Sequence, residues 1–340
     1  VDPVATIKDV AAYCHVAVST VSRVINGHPD VSDDTRKKVM AGVQALHYTP
    51  NNSARDLAQT QGNAIGVVVR NAGNPFYSPI IRALGQASED AGYTLVLHQI
   101  TVDADEIAAA AALVSSKRLK GVILLGGRFD YTHEEAASIG VPFVCCAHAN
   151  QFGDLDEQAF SSVSIDDIKT AYRATTELIH RGHTHIAILL DSPHDRSICE
   201  LRYRGYLQAL RDAGIEPDNE LVILADGYSN KHAYEGTRAL VKRHSDVTAI
   251  FSVSDTLALV AIKGLYDEGK QVPADCSVIG IDGLESSLYS IPTLTTLVQP
   301  QEELGKQAVG ILVDTLEHGA STRHIRMQTV LREGGSIRYL

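Results

Sequence analysis

The chain has 340 residues, 44% of them apolar and 21% charged, which is enough for two or three domains with cores of their own and an ordinary soluble-globular composition. No window approaches ~18 uninterrupted apolar residues, so no membrane span is expected, and the N-terminus lacks the basic-then-apolar pattern of a secretory leader. The formal charge of −11 excludes a protein that coats nucleic acid with its whole surface; the first 60 residues hold six basic and six acidic side chains, so any nucleic-acid surface must be local.

In chain order, Thr6-Ile-Lys-Asp9 has the form of a capping box opening a short helix, with Ile7, Val10 and Ala11 as its apolar stripe. His15-Val16 makes a tight turn. A second helix is expected over Val18–Asn26, stopped by Gly27 and Pro29. Ser32 caps a third, whose Val39, Val43 and Leu46 face inward. So small a bundle is marginal alone. The polar stretch TPNNSARDLAQTQGN, residues 49–63, reads as a linker in which Ser53–Ala58 can become helical given a partner. From Ala64 onward, strand-like runs alternate with helical stretches: AIGVVV, YTLVLH, GVILL, VPFVCC, SVSI, HIAILL, LVILA, TAIFSV and CSVIGI. Helices are expected from about Ser78, over DEIAAAAALVSS, up to His180, around Leu201–Ala213 and over TLALVAIKGLYDEG. Strands alternating with helices imply parallel sheets with right-handed crossovers. There are too many for one small sheet and the set divides near residue 160, so the fold class is α/β with two similar lobes behind an all-α N-terminal domain. A ligand would bind in the cleft, beyond the C-terminal strand ends.

The five cysteines, Cys14, Cys145, Cys146, Cys199 and Cys276, are odd in number and form no C-x-x-C. Buried free thiols in a reducing cytoplasm are expected. His183-Thr-His185 begins a strand without an evident third ligand and is read as structural, so no metal is expected. Neither a phosphate-binding loop nor a nucleophile elbow is present, and no cofactor or catalytic set is expected.

The second helix exposes small hydroxyl residues and one arginine, and its spacing from the first helix is that of a helix-turn-helix. Small residues let such a helix sit deep in the major groove. Val18 can touch a thymine methyl, Ser19 a base edge, and Arg23 a guanine or a phosphate. Thr20 and Ser22 suit phosphate oxygens. Helix spacing alone leaves a plain three-helix bundle with an accidental hydroxyl face equally open.

The run TIKDVAAYCHVAVSTVSRVING, followed by VSDDTRKKV, LHYTPNNSARDLA, NPFYSPIIRAL, HRGHTHIAIL, RYRGYLQAL, VPADCSVIGIDG and PTLTTLVQP, closely resembles the lac-repressor/gal-repressor family of bacterial transcription regulators over nearly its whole length. The resemblance implies a helix-turn-helix domain over 1–50, a hinge over 51–62 and a periplasmic-binding-protein-like, two-lobed effector and dimerisation domain over 63–340. It implies an effector-controlled repressor that binds a near-palindromic operator as a homodimer. Val18, Ser19 and Arg23 fall on base-reading positions. Leu57 falls on a leucine wedged into the minor groove, and Asn51 and Arg55 lie where they would touch phosphates. The effector positions are Phe76, Tyr77, His148, Asp166, Arg196, Arg202, Tyr228, Asp255 and Asp282. Arginine and carboxylates can pair with vicinal hydroxyls while rings cover an apolar face, which suits a sugar or a nucleoside. Replacing Arg202 is expected to abolish the ligand response without harming the fold. Ala17 departs from the serine usual there, and Asp56 places a negative charge beside the wedge. A solute receptor with no DNA role is the competing reading, opposed by the presence of residues 1–60.

Overall fold

The computed structural model describes residues 5–25, 28, 30–46, 48, 63–101 and 104–340. The chain divides into two units, Val1–Gln61 and Gly62–Leu340.

The first unit holds α1 (Ile7–Tyr13), α2 (Val18–Ile25) and α3 (Asp33–Ala45). The capping box forms: the Asp9 carboxylate accepts from the Thr6 backbone N–H at 2.7 Å, and Thr6 Oγ1 accepts from the Asp9 N–H at 3.4 Å. Between α1 and α2 the backbone turns through His15, at φ +49°. Ser32 caps α3 by accepting from the Thr35 N–H. Val10, Ala11, Cys14, Val21, Val24 and Val39 form the core. A Cβ on Gly42 would lie 2.3 Å from Cys14 Sγ, so glycine is what lets α3 close on α1. The residues expected to end α2, Asn26 and Gly27, lie outside the described residues.

The second unit begins with β1 (Ala64–Arg70), α4 (Tyr77–Asp90), β2 (Thr94–Ile100), α5 (Glu106–Lys117), β3 (Gly121–Leu125), α6 (His133–Ser138), β4 (Phe143–Cys146) and β5 (Ser161–Ile165). Then come α7 (Asp167–His180), β6 (Ile186–Leu190), α8 (Ile198–Asp212), β7 (Val222–Leu224), α9 (Asn230–Arg243), β8 (Ala249–Ser252), α10 (Asp255–Asp267), β9 (Ser277–Asp282) and β10 (Thr295–Val298). It ends with α11 (Gln301–His318), β11 (His324–Met327) and β12 (Val330–Arg332).

Two sheets result, ordered β11-β5-β4-β3-β1-β2 and β12-β10-β9-β8-β6-β7. Every pairing is parallel except β10 with β12. Parallel strands covered on both faces must be apolar throughout, and β1, β3, β6 and β8 read so: AIGVVV, GVILL, IAILL and AIFS. In both sheets the second strand lies outside the first and the third lies inside. This reversal of strand order opens a crevice at the C-terminal strand ends.

The chain passes between lobes three times. The first passage follows Ile165, so SVSI belongs to the first sheet and the division falls later than residue 160. The second follows β10, after which α11 packs on α4, β3, β4 and β5 of the first lobe. The third follows β11. Helices α6, α9 and α11 and strands β10 to β12 were not among the expected elements. In α9, NKHAYEGTRALVKR, the buried side is only Ala233, Thr237, Leu240 and Val241, so its pattern reads as polar. Among the described residues, no helix is long and apolar enough to cross a membrane.

Candidate effector cavity and DNA-reading face

A cavity of about 370 Å³ lies between the lobes at the C-terminal strand ends. The first lobe lines it with Arg70 and Asn71 at the end of β1, Phe76 and Tyr77 where α4 begins, Arg128 to Asp130 after β3, and His148 after β4. The second lobe brings Asp191, Asp195 and Arg196 after β6, Arg202 from α8, Tyr228 after β7 and Asp282 at the end of β9. Phe76 and Tyr77 pack ring to ring at 5.5 Å, as do Phe129 and His148 at 5.6 Å. The apolar rings thus come mainly from the first lobe and face the charges of the second.

The backbone around this cavity is strained. Asn71, Ala147, Arg196, Tyr228 and Asp282 all have positive φ, of 57°, 63°, 53°, 56° and 129°. Such conformations cost about 1–3 kcal/mol each in residues with side chains and concentrate where function requires them. Glycine is needed where rings rest on the backbone. A Cβ on Gly126, itself at φ +64°, would lie 2.1 Å from the Tyr77 hydroxyl, and one on Gly127 would lie 2.7 Å from His148 Nε2.

Arg202 is 3% exposed. Its Nε donates to Asp167 Oδ1 at 3.0 Å, one Nη donates to the Val253 carbonyl, and that same Nη1 lies 3.8 Å from Asp282 Oδ1. Burial opposes its charge, but Asp167 and Asp282 outweigh that and hold the guanidinium protonated. Its Nη2 has no partner among the described residues, which leaves one buried donor for a ligand to satisfy. Burial pushes the Asp282 carboxyl up to about 8, against the pull of Arg202. Gln299 Nε2 donates to the same carboxylate at 2.8 Å. Tyr228 is held by its N–H donating to Asp191 and by its hydroxyl, 3.0 Å from Cys199 Sγ.

Behind the first-lobe wall lies a buried network that the residue pattern did not disclose. Glu106, 1% exposed at the start of α5, accepts from the Arg128 N–H at 2.6 Å, the Tyr131 hydroxyl at 2.8 Å and Arg70 Nη1 at 3.3 Å. The Tyr131 oxygen lies 3.1 Å from His148 Nε2, and His148 Nδ1 lies 3.1 Å from the Cys146 carbonyl. A carbonyl can only accept, so Nδ1 carries a proton. Burial lowers the His148 pKa to about 4, so the ring is neutral at pH 7. In sequence, Glu106 is indistinguishable from a solvated acid in the first turn of a helix, where the dipole favours it anyway.

In the first unit, α2 buries Val21 and Val24 and exposes Val18, Ser19 and Arg23, while Thr20 and Ser22 are half-buried. Arg23 pairs with Asp30 at 2.9 Å. The Ala17 carbonyl accepts from the Thr20 and Val21 N–H groups, as the residue before a helix should, but its side chain cannot cap. Asn51, Arg55, Asp56 and Leu57 lie outside the described residues.

Residues 6–51 match the lacI family of bacterial regulatory proteins, and residues 62–333 match the periplasmic binding proteins and sugar-binding domain of the LacI family. The chain belongs to the LacI family. It is 39% identical over 332 residues to the HTH-type transcriptional regulator MalR of Clostridium butyricum, covering 97% of this chain and 98% of MalR. Among solved structures it resembles the lac repressor dimer bound to operator and the anti-inducer ONPF, with a TM-score of 0.76, 26% identity and coverage of 99% and 100%. It also resembles the CelR–cellobiose complex, with a TM-score of 0.72, 30% identity and coverage of 98% and 99%. As a LacI-family chain it is a DNA-binding transcriptional repressor with an effector domain of the sugar-binding type, and not an enzyme.

Of the nine effector positions expected in this LacI-family chain, the fold brings seven to the cavity: Phe76, Tyr77, His148, Arg196, Arg202, Tyr228 and Asp282. Two it does not. Asp166 caps α7 by accepting from the Lys169 N–H at 2.9 Å and faces a different surface hollow, beside Gln151, Tyr172 and Arg326. Its neighbour Asp167 is the one that reaches Arg202. Asp255 opens α10 and points into the second lobe, accepting from Thr296 Oγ1 at 2.5 Å, the Leu284 N–H at 2.8 Å and Ser287 Oγ at 3.2 Å. It ties the segment after β9 to α10. Arg202 is also buried and bonded to Asp167 and the Val253 carbonyl, so its replacement is now expected to weaken the fold as well as the ligand response. His183 is likewise committed, lying 3.0 Å from Thr248 Oγ1 and 3.2 Å from the Arg338 carbonyl.

Proposed function

We propose that this LacI-family repressor reads a near-palindromic operator as a homodimer through α2, and that a neutral, hydroxyl-rich effector of the sugar class controls it from the cavity between the lobes. The observation that carries the effector reading is that each arginine of the cavity wall already has a carboxylate partner, while Asp191 and Asp195 accept from the Tyr228 and Ser197 N–H groups. Arg70 pairs with Glu106, Arg128 with Glu135 and Asp130, Arg196 with Asp130, and Arg202 with Asp167 and Asp282. Arginines so paired do not call for an anionic ligand. The wall offers hydroxyls both donors and acceptors, while Phe76, Tyr77 and Phe129 cover an apolar ring face. The cellobiose held by CelR and the operator held by the lac repressor dimer support the two halves of the reading.

In this mechanism Val18, Ser19 and Arg23 read base edges, and Thr20 and Ser22 hold phosphates. Residues 1–50 act as the DNA-binding domain and 51–62 as the hinge, with Leu57 as a minor-groove wedge and Asn51 and Arg55 on the backbone. The effector shifts the two lobes of 63–340 and so alters the cost of ordering the hinges, a coupling of about 1–3 kcal/mol. The setting is the cytoplasm. A thermal-shift screen of neutral monosaccharides, disaccharides and nucleosides tests the effector class. A true ligand at a hundred times its Kd stabilises the folded state by about 2.7 kcal/mol. A shift with nucleosides and with no sugar refutes the sugar reading.

A further inference from the structure

Across the mouth of the cavity, the two lobes hold each other through side-chain and backbone contacts of their own. On the first lobe, Phe152 stands on a rigid platform. Its N–H and that of Gln151 both donate to the Phe129 carbonyl, at 2.7 and 2.9 Å. Asn150 Oδ1 accepts from the Tyr131 N–H at 2.8 Å, and its Nδ2 donates to the Tyr131 carbonyl at 3.3 Å. Gly153 lies so close that a Cβ there would sit 2.2 Å from that carbonyl. Tyr131 links this platform to the Glu106 network, its backbone bonded to Asn150 and its hydroxyl donating to Glu106.

The second lobe grips this ring with two arginines. The guanidinium carbons of Arg196 and Arg204 lie 6.0 and 4.9 Å from the centre of the Phe152 ring, within cation–π range. Arg196 also donates to the Phe152 carbonyl and lies 3.7 Å from Asp130. One carboxylate organises both: Glu200 accepts from the Arg196 N–H at 2.9 Å and from Arg204 Nη2 at 2.5 Å. Arg196 takes up this position through a left-handed backbone, at φ +53°. It is also the member of the group that lines the cavity.

We propose that Phe152, Arg196 and Arg204 form a clasp that holds the two lobes together across the mouth of the cavity. A ligand then enters or leaves only when the clasp opens. Arg196 serves on both sides: it shuts the mouth and faces whatever occupies the cavity, so occupancy and closure are read by one side chain. Glu200 is the positioning residue that keeps the two arginines on the ring. The proposal rests on the cavity being the effector site, but its test needs no effector.

The five native cysteines are all buried, so spin labels can be placed selectively by His133→Cys on the first lobe and Lys231→Cys on the second. Pulsed dipolar spectroscopy on the full-length, ligand-free protein, with doubly labelled protomers diluted into an excess of unlabelled protein, reads the distance between the lobes of one protomer. The parent should give one narrow distribution. Phe152→Ala and Arg196→Ala should each add a longer-distance population, with the open fraction rising about tenfold from its resting few per cent. Phe152→Tyr, which keeps the ring, should restore the single narrow distance. A parent that is already broad, or alanine variants that match the parent, overturns the clasp. Neither outcome alters the sugar screen, and a failed sugar screen leaves this distance measurement standing.

Discussion

Replacing Arg202 with alanine tests the effector site and the energetics of the second lobe together. The substitution removes a side chain that is 3% exposed, strands two acceptors, Asp167 Oδ1 at 3.0 Å and the Val253 carbonyl, and takes the cation away from Asp282, whose Oδ1 lies 3.8 Å from it. Breaking a buried ion pair from one side typically costs about 3–5 kcal/mol, because the remaining charge is left without compensation. The loss should depend on pH. With Arg202 present, burial already places the Asp282 carboxyl at about 8, and burial raises Asp167 as well. Near pH 6 the Asp282 carboxyl is therefore protonated, and removing its partner strands one charge fewer than at pH 8.5. For large domains, ~1 kcal/mol moves Tm by about 2–4 °C, so the variant should melt roughly 6–20 °C lower at pH 8.5 and be less affected at pH 6. Differential scanning fluorimetry at both pH values measures this, and the same samples should show no shift with any sugar that stabilises the parent. A variant that melts with the parent at pH 8.5, or that loses more at pH 6, refutes the argument that Arg202 compensates these carboxylates.

Further outcomes follow from the same geometry. Asp282 titrates at about 8 when folded and near ~3.9 when unfolded, so between these values the folded state holds the extra proton and stability falls as pH rises, by at most ~1.4 kcal/mol per unit. His148, held at about 4 by burial, acts with the opposite sign only below its unfolded value of ~6.5. Between pH 6.5 and 8, Asp282→Asn should therefore flatten a falling Tm–pH curve, and superimposable curves would count against the raised carboxyl. Gly126→Ala should push the Tyr77 hydroxyl off the Gly126 backbone and abolish the response to any sugar that shifts the parent; an unchanged titration would show that the cavity tolerates the displacement. Arg23→Ala should cost about 1–3 kcal/mol of discrimination between a selected operator and a scrambled duplex, measured by fluorescence anisotropy. Equal losses on both duplexes would mean that Arg23 contacts phosphate only.

The sequence by itself determined most of the elements, though not α6, α9, α11 or β10 to β12, and the succession from a helical N-terminal domain to an α/β remainder, because those signals are local. Thr6 and Asp9 lie three residues apart on one helical turn, and the alternation of apolar β runs with helices repeats through most of the chain. Seven cavity residues were reached only through the resemblance to the LacI family, which carries positions along the chain; the residue pattern by itself placed the ligand no more finely than the C-terminal strand ends. The tertiary structure alone decided which of two adjacent acids, Asp166 or Asp167, reaches Arg202, since α7 must be docked on α8 before its inward face is defined. It alone buried Asp255 against Thr296, 41 residues away, drew Glu106 under Tyr131 and His148, and set Phe152 between two arginines of the other lobe. The physical reason is common to all of these. A polar side chain carries no mark of its partner until long-range packing removes water from around it, and only then does its charge or hydrogen bond have to be answered by a particular residue.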